Sequence, residues 1–321
     1  MASLLAATVP VLTGCLPGPM SALDPAGPAA LEIATLWWVM FWASAALVLL
    51  MTGLGLYAAC RRPERRARVS SRLLIFGGGM ALPSAAIVAL LIYGIRAGHS
   101  LLAVPLDDAA YRVEVTAHQW WWEVAYPDGR GGRLYSANEV HVPAGRPVDV
   151  HLRSADVIHG FWVPRLGGKM DAIPGITNVI RLSAFEPGVY RGQCAEFCGA
   201  QHARMRLTFE AHLEEDLERR LAALAAAGPP AEATGAADFQ AACGRCHAVR
   251  PGERSLEPGP NLADLAFRRE LGAGTIPNEK GALERWLVAH QRLKPENRMP
   301  AFDDLDTERR ASIVRYLEGG R

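Results

Sequence analysis

Cys194-Ala195-Glu196-Phe197-Cys198-Gly199-Ala200-Gln201-His202-Ala203-Arg204-Met205 sets two thiols, an imidazole and a thioether within twelve consecutive residues. These are soft or borderline donors that together select copper over hard cations, and a Cys-His set with a weak Met ligand is the donor chemistry of copper electron-transfer centres. One Cys more than a mononuclear site of that kind requires points to two metals. Two thiolates can each bridge both ions, which leaves one imidazole per metal as terminal ligand and requires a second His from elsewhere in the chain. His159, in Ser154-Ala155-Asp156-Val157-Ile158-His159-Gly160-Phe161-Trp162-Val163-Pro164, is the candidate. Two alternatives stay open on spacing alone: a CxxxC pair in an oxidising compartment can close as a disulfide, and a Cys-His cluster can hold zinc. Neither needs Met205 at its offset or the separate His159 segment.

This pair of segments resembles the binuclear CuA site of cytochrome c oxidase subunit II. The resemblance implies an all-β cupredoxin domain and two copper ions held by His159, Cys194, Cys198, His202 and Met205, with the backbone carbonyl of Glu196 completing the set. It also implies a magnesium ion at the boundary with the catalytic subunit, reached by the Glu196 carboxylate. His118-Gln119-Trp120-Trp121-Trp122-Glu123-Val124-Ala125-Tyr126 matches the aromatic segment of the same family. There the Trp directly after Gln, here Trp120, is implied as the residue through which electrons reach copper. A strand of period two puts Trp121 on the opposite face from Trp120 and Trp122. Lys169-Met170-Asp171-Ala172-Ile173-Pro174-Gly175 matches a loop that faces the haem-bearing subunit. Two positions depart from the family pattern. Ile176 stands where Arg is frequent, and Val69 to Ile75 lacks the Glu that usually opens the second transmembrane helix and serves proton uptake.

Cys243-Gly244-Arg245-Cys246-His247 is the CxxCH pattern of covalent c-type haem attachment, in which both thiols add to the haem vinyl groups and His247 becomes the proximal ligand. Alone, the pattern also fits half a zinc knuckle or a redox CxxC. Pro258-Gly259-Pro260-Asn261-Leu262 follows, then Asn297-Arg298-Met299-Pro300, then a helical tail from Thr307 to Leu317. That order is similar to a small all-α class I cytochrome c, and the resemblance implies Met299 as sixth ligand. A His/Met pair raises the haem potential, which suits a carrier feeding an oxidase.

The chain has 321 residues and a formal net charge of +1, so no bulk basic or acidic character points to nucleic acid. Of six cysteines, four fall in the two metal motifs, which leaves Cys15 and Cys60 and excludes a disulfide scaffold. Leu12-Thr13-Gly14-Cys15, behind an apolar run from Leu4 to Val11, resembles a bacterial lipoprotein signal with its lipobox, though no Lys or Arg precedes it. Cys60 reads as an inert thiol. Ile33 to Ala59 and Leu73 to Ile95 are uncharged and each exceeds the roughly 20 apolar residues needed to cross a bilayer core. The loop between them, Arg61 to Arg72, is rich in arginine, and the positive-inside rule places it in the cytoplasm and both chain ends on the other side. Trp37, Trp38 and Trp42 are expected to form an interfacial belt.

Tyr111 to Ala117 and Arg146 to Leu152 alternate as strands do, and short strands with Gly and Pro turns continue to Phe209. His212 to Ala227 reads as a helix, and Gly228 to Ala237 has the composition of a flexible linker. The expected architecture is a multidomain membrane protein: 1–30 signal/lipobox and N-terminal segment; 31–97 transmembrane hairpin; 98–211 CuA cupredoxin; 212–236 helix and linker; 237–321 cytochrome c domain. The resemblance implies an electron-transfer subunit of a proton-pumping oxidase in the bacterial inner membrane, with both metal domains on the periplasmic side. Electrons would come from cytochrome c or a cytochrome bc complex, pass from haem c to copper, and reach a haem-copper catalytic subunit I, the site of oxygen reduction. Membrane lipid and other oxidase subunits are the remaining expected partners. The alternatives are the CuA subunit of a nitric oxide reductase and a membrane-anchored copper chaperone; the latter usually has Pro after its second Cys, where this chain has Gly199.

Overall fold

The computed structural model describes residues 17–61, 70–101, 110–231, 233–254, 256–302 and 305–319. The lipobox with Cys15, and residues 62–69 of the arginine-rich loop, lie outside the described residues. The chain divides into two compact units, Glu32–Leu102 and a larger one made of Met1–Leu31 with Ala103–Arg321.

The smaller unit is helical. Helix α1, Pro28–Cys60, spans 33 residues, about 50 Å at 1.5 Å per residue, against a bilayer core of about 30 Å. Its second span, Leu73–His99, is also long and apolar enough to cross a membrane. That span opens as a π-helix, Leu73–Ala81, before helix α2, Leu82–Leu101. The wide turn has a local cause: the Leu82 N–H donates five residues back to Gly77 O, glycines 77–79 place no side chains in the turn, and Pro83 brings no donor to restore the ordinary ladder. Trp37, Trp38, Phe41 and Trp42 pack as one aromatic cluster, with neighbouring centroids 4.6–6.3 Å apart.

The larger unit begins with a sandwich of two five-stranded sheets, ordered β3-β2-β1-β5-β8 and β4-β10-β9-β6-β7. Its strands are β1 Tyr111–His118, β2 Trp121–Pro127, β3 Arg133–Ala137, β4 Glu139–Pro143, β5 Val148–Ser154, β6 His159–Trp162, β7 Lys169–Ala172, β8 Asn178–Leu182, β9 Gly188–Cys194 and β10 Arg206–His212. The pairs β1/β5 and β4/β10 are parallel and the others antiparallel. This is a cupredoxin-like fold. Alternation sets its core: Val113, Val115 and Ala117 of β1 turn inward and join Val148, Val150 and Leu152 of β5, with Trp122, Phe161 and Phe209 between the sheets, all without solvent contact. Each such Val, Leu or Phe contributes roughly 1.5–3 kcal/mol on burial. The stretch ahead of α1 is stitched to this sandwich, since Ala26 N–H donates to Arg165 O and accepts at its own carbonyl from Phe185 N–H.

Helix α3, Glu214–Ala225, leads to a second, mainly helical core carried by α4 Ala236–Ala242, α5 Ala282–Leu293 and α6 Thr307–Glu318, with a short β11/β12 pair. The connecting stretch differs from the flexible linker its composition suggests. A Cβ on Gly228 would lie 2.4 Å from Val249 O and one on Gly235 2.4 Å from Ser312 O, so both ends are laid against the helical domain. The two domains also share a polar joint. Arg269 holds Glu210 through Nε and Nη2 at 2.9 and 2.7 Å and donates its backbone N–H to Glu139 Oε1 at 2.6 Å. Ser136 donates to Asp264 at 2.6 Å, and Arg191 pairs with Glu270 at 2.6 Å.

Candidate metal centres

The predicted copper donors meet at one end of the sandwich. His159 opens β6 and Cys194 closes the neighbouring strand β9, while Cys198, His202 and Met205 lie on the connection from β9 to β10. Close approach needs Gly160: a Cβ there would stand 3.0 Å from the backbone of Ala195 and Glu196. The thiols are 3.7 Å apart and not bonded. His159 Nδ1 lies 3.9 Å from Cys194 Sγ, His202 Nδ1 3.6 Å from Cys198 Sγ, Met205 Sδ 3.9 Å from Cys198 Sγ, and Glu196 O 3.2 Å from Cys194 Sγ. Separations of 3.6–3.9 Å are at the long end for hydrogen bonds to sulfur. They suit donors gathered around metal, since bonds of about 2.0–2.3 Å at tetrahedral angles set ligand atoms roughly 3.5 Å apart. The donor set therefore fits a soft metal.

The electrostatics agree with that fit. The hydrogen bond from Cys198, opposed by burial and aided by His159, draws the Cys194 thiol well down, whereas the same bond and burial push the Cys198 thiol up. His159 Nε2 donates 2.8 Å to Asp156 Oδ1, fixing the tautomer that leaves Nδ1 toward the thiols. Burial works against the charged imidazole, but Asp156 and Cys194 raise its pKa overall. Asp156 went unassigned in the sequence; its place three residues before His159 is the one signal that could have singled it out. The Glu196 carboxylate pairs with Lys169 Nζ at 3.0 Å, and among the described residues it joins no cluster of three potential ligands.

Trp120 lies in the turn before β2, partly buried against the core, with Trp122 inside it; Trp121 stacks on His118 at 4.4 Å on the other face. The indole Nε1 of Trp120 donates 3.0 Å to Cys198 O, and Gln119 Nε2 donates 2.8 Å to the same carbonyl. Gly199 makes room for the indole: its φ is +112°, and a Cβ would sit 3.1 Å from Trp120 Cζ2.

The second candidate centre lies in the helical domain. His247 Nδ1 donates 2.8 Å to Pro260 O, which leaves Nε2 free, and a Cβ on Gly259 would meet Cys246 O at 2.2 Å. Cys243 is in the core that Met299 packs against. Met299 is held from its backbone: its N–H donates to Asn297 Oδ1 at 3.0 Å and its carbonyl accepts from Gln291 Nε2 at 2.6 Å. An imidazole with one nitrogen oriented, two free thiols and a thioether on the same core fit a covalently attached haem.

Beyond these, His141, Glu210 and His212 group their ligand atoms within 4.8 Å. All three are already engaged: His141 Nδ1 contacts His212 Nε2 at 3.0 Å, His141 Nε2 accepts from Arg220 at 3.3 Å, and Arg269 holds Glu210. Lys294 was also missed. Its Nζ, in a side chain 3% exposed, donates to Trp120 O at 2.9 Å, Arg204 O at 2.9 Å and Gly272 O at 2.8 Å. Burial pulls its pKa down to about 7.

A family model described as cytochrome C oxidase subunit II, periplasmic domain, matches residues 128–212, and one described as cytochrome C oxidase, cbb3-type, subunit III matches residues 230–317. The chain is 37% identical over 216 residues to cytochrome c oxidase subunit 2 of Alkalihalophilus pseudofirmus, covering 66% of this chain and 61% of that protein. It is 31% identical over 223 residues to the same-named protein of a Bacillus species, covering 64% and 61%. The crystal structure of the periplasmic domain of subunit II of cytochrome oxidase of Bradyrhizobium japonicum is 32% identical, covering 36% of this chain and 94% of that one, with a TM-score of 0.34. The chain spans about three fifths of the length of the two curated relatives.

Proposed function

This chain belongs to the cytochrome c oxidase subunit II family and carries a cytochrome c domain behind its copper domain, and from that premise we propose that it is the electron-receiving subunit of a haem-copper terminal oxidase. The observation that carries the reading is the convergence of two thiols, two imidazole Nδ1 atoms, a thioether and the Glu196 carbonyl at one end of the sandwich. When bound, two coppers there and a haem in the helical domain supply one-electron carriers. Cys194, Cys198, His159 and His202 would hold the coppers, with Met205 and the Glu196 carbonyl as weaker donors. Cys243, Cys246, His247 and Met299 would hold the haem. Asp156 fixes the His159 ring, and Trp120 offers an aromatic surface hydrogen-bonded to a ligand's own carbonyl, which supports its role as the residue that passes electrons to copper.

The α1 and α2 spans would anchor the chain in a bacterial plasma membrane, with arginines inside and both metal domains outside. Exposed Ile158, Ile176 and Phe197 sit on or beside the copper-end loops, and a catalytic subunit covering them would remove apolar surface from water and receive the electron there. A magnesium ion at that boundary would require Glu196 to exchange Lys169 for the metal. Cytochrome c or a cytochrome bc complex would be the donor to the haem domain.

The reading is tested on the periplasmic portion by metal analysis and electron paramagnetic resonance. Two coppers per chain with one unpaired electron shared between them are expected, and Cys198→Ser should abolish that sharing. A single copper with an ordinary mononuclear spectrum overturns the binuclear assignment.

A further inference from the structure

Lys294 is an unusual place for a cation. Lysine is almost never fully buried without a paired charge, yet here the three partners are main-chain carbonyls, two from the sandwich and one from the helical domain. A compact tetrahedral ammonium with three donors matches three converging carbonyls; a planar guanidinium does not. Its position in the chain matters as much. Lys294 caps α5, and its own carbonyl accepts 2.7 Å from Asn297 Nδ2, whose Oδ1 in turn accepts from Met299 N–H at 3.0 Å. From Met299 the route runs through Asn297 and Lys294 to Trp120 O, and from the Trp120 indole to Cys198 O. Beside it, Arg298 donates to Gln119 Oε1, and Gln119 reaches the same Cys198 carbonyl. Two short struts therefore join the Met299 loop to the copper loop.

We propose that Lys294 is a positioning residue: its ammonium locks the cytochrome domain onto Trp120 and the copper loop, so that electrons cross a fixed contact rather than one remade by tethered diffusion. This rests on the relay reading above. The transfer it positions oxidises the haem and reduces the copper pair by one electron and makes or breaks no covalent bond.

The test uses the intact complex and Lys294→Met. Haem and copper spectra should be unchanged, while haem-to-copper transfer followed by rapid mixing should slow on the order of tenfold or more, because truncating one partner of a buried charged contact weakens that contact by at least this factor and so depopulates the locked arrangement. It should also become dependent on solvent viscosity, which the wild-type rate is not. A second readout needs no metal or haem. In the full chain lacking both, hydrogen exchange at residues 120–122 and 204–206 should rise in the variant while β1 and β5 stay protected. An unchanged rate with unchanged exchange overturns the proposal, as does a wild-type rate that itself scales with viscosity. If Lys294→Met loses its haem spectrum, Lys294→Arg decides: slowing is expected there too, and a wild-type rate sinks the idea. Absence of any haem-to-copper transfer in the wild-type complex would instead refute the relay itself, and the exchange result would still judge the lock.

Discussion

Asp156 shows how much of the copper end depends on a residue that is not a ligand. It accepts from His159 Nε2 at 2.8 Å and from the backbone N–H groups of Gln119 and Val157, each at 2.7 Å. These bonds outweigh the opposing effect of burial and lower its pKa to about 2, so it is a carboxylate at any working pH. Asp156→Ala should weaken copper binding about 10- to 100-fold, the usual cost of losing such a support, measured by chelator competition on the metal-free chain. Equal affinity in the variant would mean that strand β6 alone orients His159. At this scale the candidate ligands were legible, because Cys, His and Met are chemically conspicuous and four of the five side chains proposed to hold copper sit within twelve residues. Asp156, Gln119 and Lys294 were not. A carboxylate, an amide and an amine are ordinary surface residues until the fold gives them partners, and Lys294 finds Trp120 174 positions away.

The elements divide the labour: strands fix the ends of the copper loops, and helices fix the ends of the haem loops. Alternation in β1 and the parallel pairing of β1 with β5 could be anticipated only in part, since period two identifies a strand but not its neighbour. The π-helical opening of the second span was equally hidden, although Gly77 to Gly79 and Pro83 explain it afterwards. On the haem side, Met299 stands on a loop between α5 and α6 that is held by Gln291, Asn297 and the His290 ring. Met299→Ala should therefore leave the loop in place and remove only the thioether. The expected result is loss of the six-coordinate haem spectrum and a lower potential, with copper spectra intact. A copper signal that changed as well would mean that the loop had moved and disturbed Gln119.

For the molecule as a whole, the joint between the two domains is the part the sequence concealed. Gly, Pro and Ala between residues 228 and 237 have the composition of a free tether, but nothing in composition reveals that Gly228 and Gly235 lie against Val249 and Ser312. Burial raises Glu139 in this joint to about 7. Its folded pKa lies above the unfolded 4.5, so its contribution to stability is complete below 4.5 and is lost as pH rises through 7. His141 beside it is held down to about 3 by burial and runs the other way, losing stability as pH falls below 6.5. Glu139→Gln keeps an acceptor for the Arg269 N–H and removes only the first effect. Chemical unfolding at pH 4.5 and pH 8 should show the variant gaining roughly 2–3 kcal/mol over wild type between those values. Parallel pH profiles for the two proteins would refute this assignment.

The same joint has a polarity. Around Trp120 the sandwich side carries Glu123 and Asp156, facing Arg254 and Arg298 of the haem side; Glu210 and Arg269 follow the same sense farther along, and only Arg191 with Glu270 among the pairs named above runs against it. A chain truncated after Ala227 would uncover an acidic face around Trp120, with its arginine counterparts gone. Such a face would recruit a separate basic carrier in trans, at a rate that falls steeply with ionic strength. Stopped-flow reduction of the truncated protein by a basic soluble cytochrome, across a salt series, should show that decline, while the full-length chain should not. Fusion, in this light, occupies with a permanent resident a berth that would otherwise stand open to passing traffic.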